Sequence, residues 1–362
     1  MTDAGCEGDD MVYVDGAVGA PQSRQTGDDI DSEIANLFAR GAQRAEAYGP
    51  EFTKLWAIAS DCALGGKLLR PKLLIQTFDA LGSRPTHRES AVRIAAATEL
   101  LHFAFLLHDD VIDGDLIRRG RPNFVGTVLS DEHDSEALHL ARSSAILIGD
   151  LLLADVHQVF AREPLPEPER TALLDLLDTT ITDSIVGEYL DIGLCAGVIA
   201  SRLHQVLRMT RMKTATYTFE LPLRAAAVLA GASPRTADLL GDVGQSLGTA
   251  FQLQDDLLSV FGDEHGKDSY SDLREGKETA LIAIARAGEH WADIEPNFGS
   301  PDLTEEQGHA IRDMLSHCGA ESQVRGLVDE HLHLARQSLS ECPPALSTTL
   351  ETLITTMEAR RS

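Results

Sequence analysis

The sequence predicts an all-α protein. Apolar residues recur at helical spacing from Ile30 nearly to the C-terminus, Gly, Pro and Ser or Asp fall at the breaks between periodic segments, and the period-two alternation of a strand is almost absent. At 362 residues the chain can bury a sizeable core, as one large domain or two medium ones. Residues 1–28 stand apart. They are rich in Gly, Asp and small side chains, with almost no large apolar group to offset the entropy of ordering. They read as a disordered acidic tail ahead of a domain spanning 29–362.

The first helical segment places Ile34, Leu37 and Phe38 on one face and ends at Gly49-Pro50. A second, from about Glu51 to Leu64, stops at Gly65-Gly66. In GGKLLRP, Gly65 to Pro71, two glycines permit a tight backbone, and Lys67 and Arg70 lie three apart, on one side of a helical turn. A buried-looking helix from about Leu73 to Leu81 and a polar loop to about Glu89 come next. They lead into an apolar helix from near Ala91, in which residues 94–107 are apolar nearly all round, as at the centre of a bundle. Loop signals recur at 130–136 and in EPLPEPE, Glu163 to Glu169. Segments 137–161, 170–191, 201–230, 235–261 and 279–293 read as helices, with further helical periods over 304–358.

The long apolar helix runs into LLHDDVIDGDLIRRGRP, Leu106 to Pro122. Asp109, Asp110 and Asp113 repel one another within about one turn, and Asp109 and Asp113 share a face. Such a cluster is tolerable at the end of an apolar helix when hard divalent cations neutralise it. Arg118, Arg119 and Arg121 follow, and guanidinium forks beside carboxylates suit a metal-bridged polyphosphate. One acidic pair alone is ordinarily a solvated helix end. A second pair, Asp255-Asp256 in FQLQDDLLSVFGD, ends another apolar stretch in a matching context. Two such helices facing one another would form an acidic throat able to hold several divalent ions.

Composition excludes other classes. A formal net charge of −26 argues against nucleic acid and anionic membrane surfaces as partners. Five cysteines (Cys6, Cys62, Cys195, Cys318, Cys342) show no CxxC spacing, which fits a reducing cytoplasm better than a disulfide framework or zinc site. No apolar run reaches the ~20 residues of a membrane span, and the N-terminus is acidic. The expected location is cytoplasmic.

With LLHDDVIDGDLIRRGRP, GGKLLRP, MKT (Met212 to Thr214), FQLQDD and DLREGKET (Asp272 to Thr279) in this order, the sequence resembles the trans-isoprenyl diphosphate synthases of the polyprenyl synthetase family. The resemblance runs from about residue 30 to the C-terminus, and ELLHFAFLLHDDVIDGD, Glu99 to Asp115, looks most like actinobacterial geranylgeranyl diphosphate synthases. It implies an isoprenoid synthase helical bundle around a deep central cavity, working as a homodimer. It also implies a prenyltransferase that joins isopentenyl diphosphate to an allylic diphosphate (dimethylallyl, geranyl or farnesyl), with about three Mg2+ ions per active site and Mn2+ able to substitute. Catalytic roles fall to Asp109, Asp113, Asp255 and Lys213. The metal ligands match Asp109, Asp113 and Asp255, with Asp110 and Asp256 in close support. Lys67, Arg70, His102 and Arg119 are implied around isopentenyl diphosphate; Arg118, Lys213, Thr214, Gln252 and Lys267 around the allylic diphosphate; Lys277 sits at the mouth.

Two positions depart from the family pattern. Ser259 stands where the second motif commonly has a third aspartate, and Leu68 stands where many relatives carry an arginine. The run Asp255, Asp256, Ser259, Asp263 also resembles the second metal motif of class I terpene cyclases, but a cyclase has no use for the second anion pocket of GGKLLRP, RRGRP and REGK. A non-catalytic partner subunit is a third alternative, opposed by the presence of both aspartate pairs. Product length is expected from the helix before Asp109. Bulky Phe105 and small Ala104 leave a passage on the Ala104 side that ends near Leu101 or Thr98, which favours a C20 product over C15, with a Phe105 floor and C15, or longer products, as the alternatives.

Overall fold

The computed structural model describes residues 21–118, 120–129, 134–262 and 270–359, without the side chains of 21–26. Arg119 and Lys267 lie outside the described residues, as does the expected tail up to residue 20. Helix α1, Pro21–Ala45, takes in residues 21–28, ahead of the expected start at Ile30. Proline suits such a start, because its ring presets the helical φ and the amide hydrogen it lacks would have no intrahelical partner there.

The chain divides into two compact units: Ala17–Leu177 with Ala225–Ala232, and Asp178–Arg224 with Ser233–Ser362. In the first, a 3-10 turn, Glu46–Tyr48, and Gly49 at φ +104° separate α1 from α2, Pro50–Ala63. Then follow α3 (Leu69–Ala80), α4 (Arg88–Asp113), a hairpin of β1 (Ile117–Arg118) and β2 (Arg121–Pro122), α5 (Phe124–Leu129) and α6 (Ser135–Arg162). Helix α7, Glu167–Cys195, begins in this unit and continues into the second. The core is α4, whose Ile94, Ala97, Leu100, Leu101, Ala104 and Leu107 are buried, with α1, α3 and α6 packed on it. Arg93 locks α4 to the end of α6 through a fork onto buried Glu163, at 2.9 Å from Nε to Oε1 and 2.9 Å from Nη2 to Oε2.

Two stretches, Pro85–Asp113 and Ser135–Arg162, are long and apolar enough to cross a membrane by length and composition alone, contrary to the expectation of no such run. The most apolar window of the first is 67% buried within the protein, as a core helix is, and that of the second is 39% buried.

The second unit contains the rest of α7, then α8 (Leu203–Thr210), a π-helix (Arg211–Glu220) and the start of α9 (Leu221–Ala230). After these come α10 (Pro234–Phe261), α11 (Ser271–Glu275), α12 (Ala280–Arg286), α13 (Trp291–Ile294), α14 (Glu305–His317), α15 (Ala320–Ser340) and α16 (Pro344–Ala359). Helix α10 is central here, packed on α15 and on the π-helix.

Two expected helices differ in kind. The segment 201–230 is wound as a π-helix in its middle. The segment 279–293 stops at Arg286, whose guanidinium folds back over the Trp291 ring at 4.0 Å and pairs with Glu278. That cation–π contact favours a reversal of the chain over continuation of the helix.

Candidate active site

In the first unit, α4 delivers the aspartates at its C-terminal end and Gly114, at φ +80°, ends the helix there. Asp109 is half-buried. Asp110 is buried and accepts from Arg118 Nε at 3.0 Å and Nη2 at 2.6 Å, while Nη2 lies 3.5 Å from Asp109 Oδ2. Burial pushes the Asp110 carboxyl up, and the Arg118 charge opposes that shift. Arg118 therefore braces the aspartate motif in this structure. Its hairpin is fixed by Asn123, whose amide donates to the Asp115 carbonyl at 2.9 Å and whose side-chain oxygen accepts from Gly126 N at 2.9 Å. Gly126 is required for that closure, since a Cβ there would lie 2.2 Å from the Leu116 carbonyl oxygen.

GGKLLRP is not one helical turn. Leu68 takes a left-handed conformation, φ 55°, and α3 starts only at Leu69, so Lys67 precedes the helix and Arg70 lies in its first turn. Burial of the Leu68 side chain opposes the strain of that conformation. A buried apolar anchor thus stands where the family pattern commonly has arginine. His102 is half-buried on α4 and lies about 20° from Asp109 around the helix axis.

In the second unit the π-helix and α10 carry the remaining groups. Gln252 links them, accepting from Thr214 Oγ1 at 3.1 Å and donating to Asp256 Oδ1 at 3.0 Å. Lys213 Nζ donates to Asp191 Oδ2 at 2.7 Å and lies 2.9 Å from Glu188 Oε2. Asp191, Glu188 and Asp272 are site residues to which the sequence reading gave no role. A signal for the first two was present: GEYLD, Gly187 to Asp191, puts two acids three apart in an otherwise apolar helical stretch. Asp272 lies in the same motif as Lys277, DLREGKET. The Lys277 amide bonds to the Asp272 carbonyl at 2.9 Å, and Gly276, at φ +70°, makes the bend between them.

Burial pushes the Asp256 carboxyl well above the usual range, and the charges of Asp272, Asp255 and Asp191 push it further. Asp272 is raised by burial and by Asp255 and Asp191, against an opposing hydrogen bond from Ser259. The Ser259 hydroxyl also lies 2.9 Å from the Asp256 backbone carbonyl, so the serine at the departure position sits within the same cluster. Mutually destabilised carboxylates are a donor set that a hard cation would relieve. Among the described residues no group of three His, Cys, Asp or Glu side chains is placed to hold an ion by itself. Mg2+ is ordinarily bound through one or two carboxylates together with waters and substrate phosphates.

Residues 54–314 match the polyprenyl synthetase family. A geranylgeranyl diphosphate synthase of Methanosarcina mazei is 31% identical over 287 residues, 77% of this chain and 82% of that one. A geranylfarnesyl diphosphate synthase of Aeropyrum pernix is 32% identical over 295 residues, 77% of this chain and 84% of that one. Among solved structures, the geranylgeranyl pyrophosphate synthase of Corynebacterium glutamicum, complexed with isoprenyl diphosphate and magnesium, superposes with a TM-score of 0.84 at 28% identity, covering 93% of this chain and 99% of that one. With the family match spanning both aspartate motifs and the basic motifs between and around them, the chain belongs to the polyprenyl synthetase family.

Proposed function

We propose that this protein is a prenyltransferase that joins isopentenyl diphosphate to an allylic diphosphate and yields geranylgeranyl diphosphate. The observation that carries it is the presence, within one family match, of two complete aspartate pairs and two sets of basic residues. A single-substrate cyclase needs only one such set. Residues 29–362 form the synthase domain in this proposal, and the protein acts in the cytoplasm as a homodimer. The relatives include makers of C20 and of longer chains at similar identity, so identity alone does not fix product length.

Asp109, Asp113 and Asp255 would hold Mg2+, with Asp110 and Asp256 behind them; about three ions bind per site, and Mn2+ can replace them. When bound, the metal supplies positive charge that stabilises the departing diphosphate. Arg118 aims Asp110 and opposes the upward push of burial on its carboxyl, and the Gln252 hydrogen bond does the same for Asp256. Lys213 and Thr214 hold the allylic diphosphate, aided by Lys267 and with Lys277 at the mouth. Lys67, Arg70, His102 and Arg119 hold isopentenyl diphosphate. As the allylic C–O bond breaks, the double bond of isopentenyl diphosphate attacks the carbocation and the departing diphosphate takes the proton. The product is five carbons longer. Apolar walls exclude water from the cation.

The test is incubation with Mg2+, labelled isopentenyl diphosphate and each of the three allylic diphosphates, followed by chromatography of the dephosphorylated alcohols. A labelled C20 alcohol is expected. Hydrocarbon formed from an allylic diphosphate alone would replace this reading with the cyclase one, and no turnover with any pair would favour the partner subunit.

A further inference from the structure

Lys213 and Thr214 sit on the π-helix Arg211–Glu220, and π-turns are rare because the wide backbone is intrinsically unfavourable and persists where packing holds it. Within the second unit the packing comes from glycines. A Cβ at Gly187 of α7 would lie 2.2 Å from the Lys213 amide nitrogen and 2.6 Å from its Cα. On α10, a Cβ at Gly248 would lie 2.4 Å from Ala215 Cα, and one at Gly244 2.6 Å from Glu220 Cα. All three contacts are with backbone, which cannot swing aside as a side-chain tip can.

Gln245 adds a clamp across the whole π-helix. Its Oε1 accepts from Arg211 Nη1 at 3.3 Å and its Nε2 donates to Glu220 Oε2 at 3.1 Å, so one residue of α10 bonds both the first and the last residue of the π-helix. Glu220 is held in turn by Arg224 at 3.0 Å. Farther along α10, Gln252 receives Thr214 and reaches Asp256.

We propose that Gln245 and Gly187, with Gly244 and Gly248, are positioning residues for allylic diphosphate. They hold the π-helix so that the Lys213 ammonium and the Thr214 hydroxyl stand at the second aspartate pair. The proposal rests on the reading that Lys213 grips the allylic diphosphate. In this proposal none of the four touches substrate; the glycines act through the π-helix backbone and Gln245 through the side chains of its first and last residues.

The test is steady-state kinetics with both substrates varied, on Lys213→Ala, Gly187→Ala, Gln245→Ala and Gly41→Ala, beside their melting temperatures. Gly41→Ala presses on the Trp56 ring, which a Cβ would meet at 2.0 Å, and serves as a variant that is destabilised without contact to the π-helix. Gly187→Ala and Gln245→Ala should raise KM for the allylic diphosphate at least about fivefold and leave KM for isopentenyl diphosphate within about twofold; Gly41→Ala should lower the melting temperature with no such split. A raised allylic KM in Lys213→Ala with neither Gly187→Ala nor Gln245→Ala following it would overturn the proposal. An unmoved allylic KM in Lys213→Ala would remove the reading beneath it and the proposal together. Should Gly187→Ala fail to fold, Gln245→Ala decides the matter, because it removes hydrogen bonds without adding bulk.

Discussion

Ala104 and Asp109 are five residues apart on α4, and at 3.6 residues per turn the helix turns one away from the other by about 140°. Ala104 is accordingly buried in the core of its unit, 0% exposed, together with Leu101, while Phe105 is half-exposed on the face of Asp109. Ala104 is therefore turned into the core and away from the aspartates, and of the two side chains it is Phe105 that lies on their face. Phe105→Ala should shift the product toward longer alcohols in chromatography. Ala104→Phe should destabilise the protein by about 1–3 kcal/mol, by overpacking, and leave the product peak in place. A shortened product from a fully stable Ala104→Phe would show that the tail does run along that face. The metal ligands give a second prediction. Asp109→Ala or Asp255→Ala should each reduce turnover by several orders of magnitude with circular dichroism unchanged, since each removes a charge that holds the metal-bridged diphosphate. Both aspartate pairs were legible because acids at the end of an apolar helix violate ordinary patterning. Glu188 and Asp191 were harder to see, because their meaning depends on Lys213, which lies more than twenty residues onward and meets them only through folding.

At the scale of elements, helix positions were legible from apolar spacing, but the π-helix was not. Periodicity over 201–230 is continuous, and the close approach of glycines from α7 and α10 to its middle turns is a tertiary feature with no local trace. The left-handed Leu68 escaped for a related reason: nothing in the residue type announces φ > 0, and burial holds it. Helix α15 supports a pH prediction. Burial lowers the His331 pKa against the opposing charge of Glu330, and His331 Nδ1 is buried without a hydrogen-bond partner. The unfolded chain then takes up a proton below about pH 6.5 that the folded protein resists, so this contribution to stability is full above that pH and is lost as pH falls. Urea midpoints at pH 8 and pH 5.5 should differ less in His331→Leu than in the wild type. An equal or larger difference would place the acid sensitivity elsewhere.

The division into two units left little trace in composition. The chain crosses from one to the other inside α7, again inside α9, and a third time at Ala232–Ser233; only this last crossing coincides with a Gly and Pro turn, Gly231 to Pro234, and the first two fall within continuous helices. What the whole molecule leaves exposed is more telling. Leu140, Leu147 and Leu151 form an exposed stripe on α6, with Ile146 beside it, and Ile185, Tyr189 and Ile192 form another on the second-unit stretch of α7. Leu147 is 61% exposed and Tyr189 66%, on helices of a protein whose net charge of −26 otherwise favours dispersal. Apolar stripes of this kind are what an interface core supplies, and the proposed homodimer would cover them. Replacing one stripe residue with a carboxylate places a charge where the partner's apolar side chains would have to desolvate it. Leu147→Glu and Ile185→Glu, which lie in different units, should each shift the mass seen by light scattering from dimer toward monomer at micromolar concentration. Retention of the dimer by both variants would mean that these stripes are not the surface through which the chain pairs.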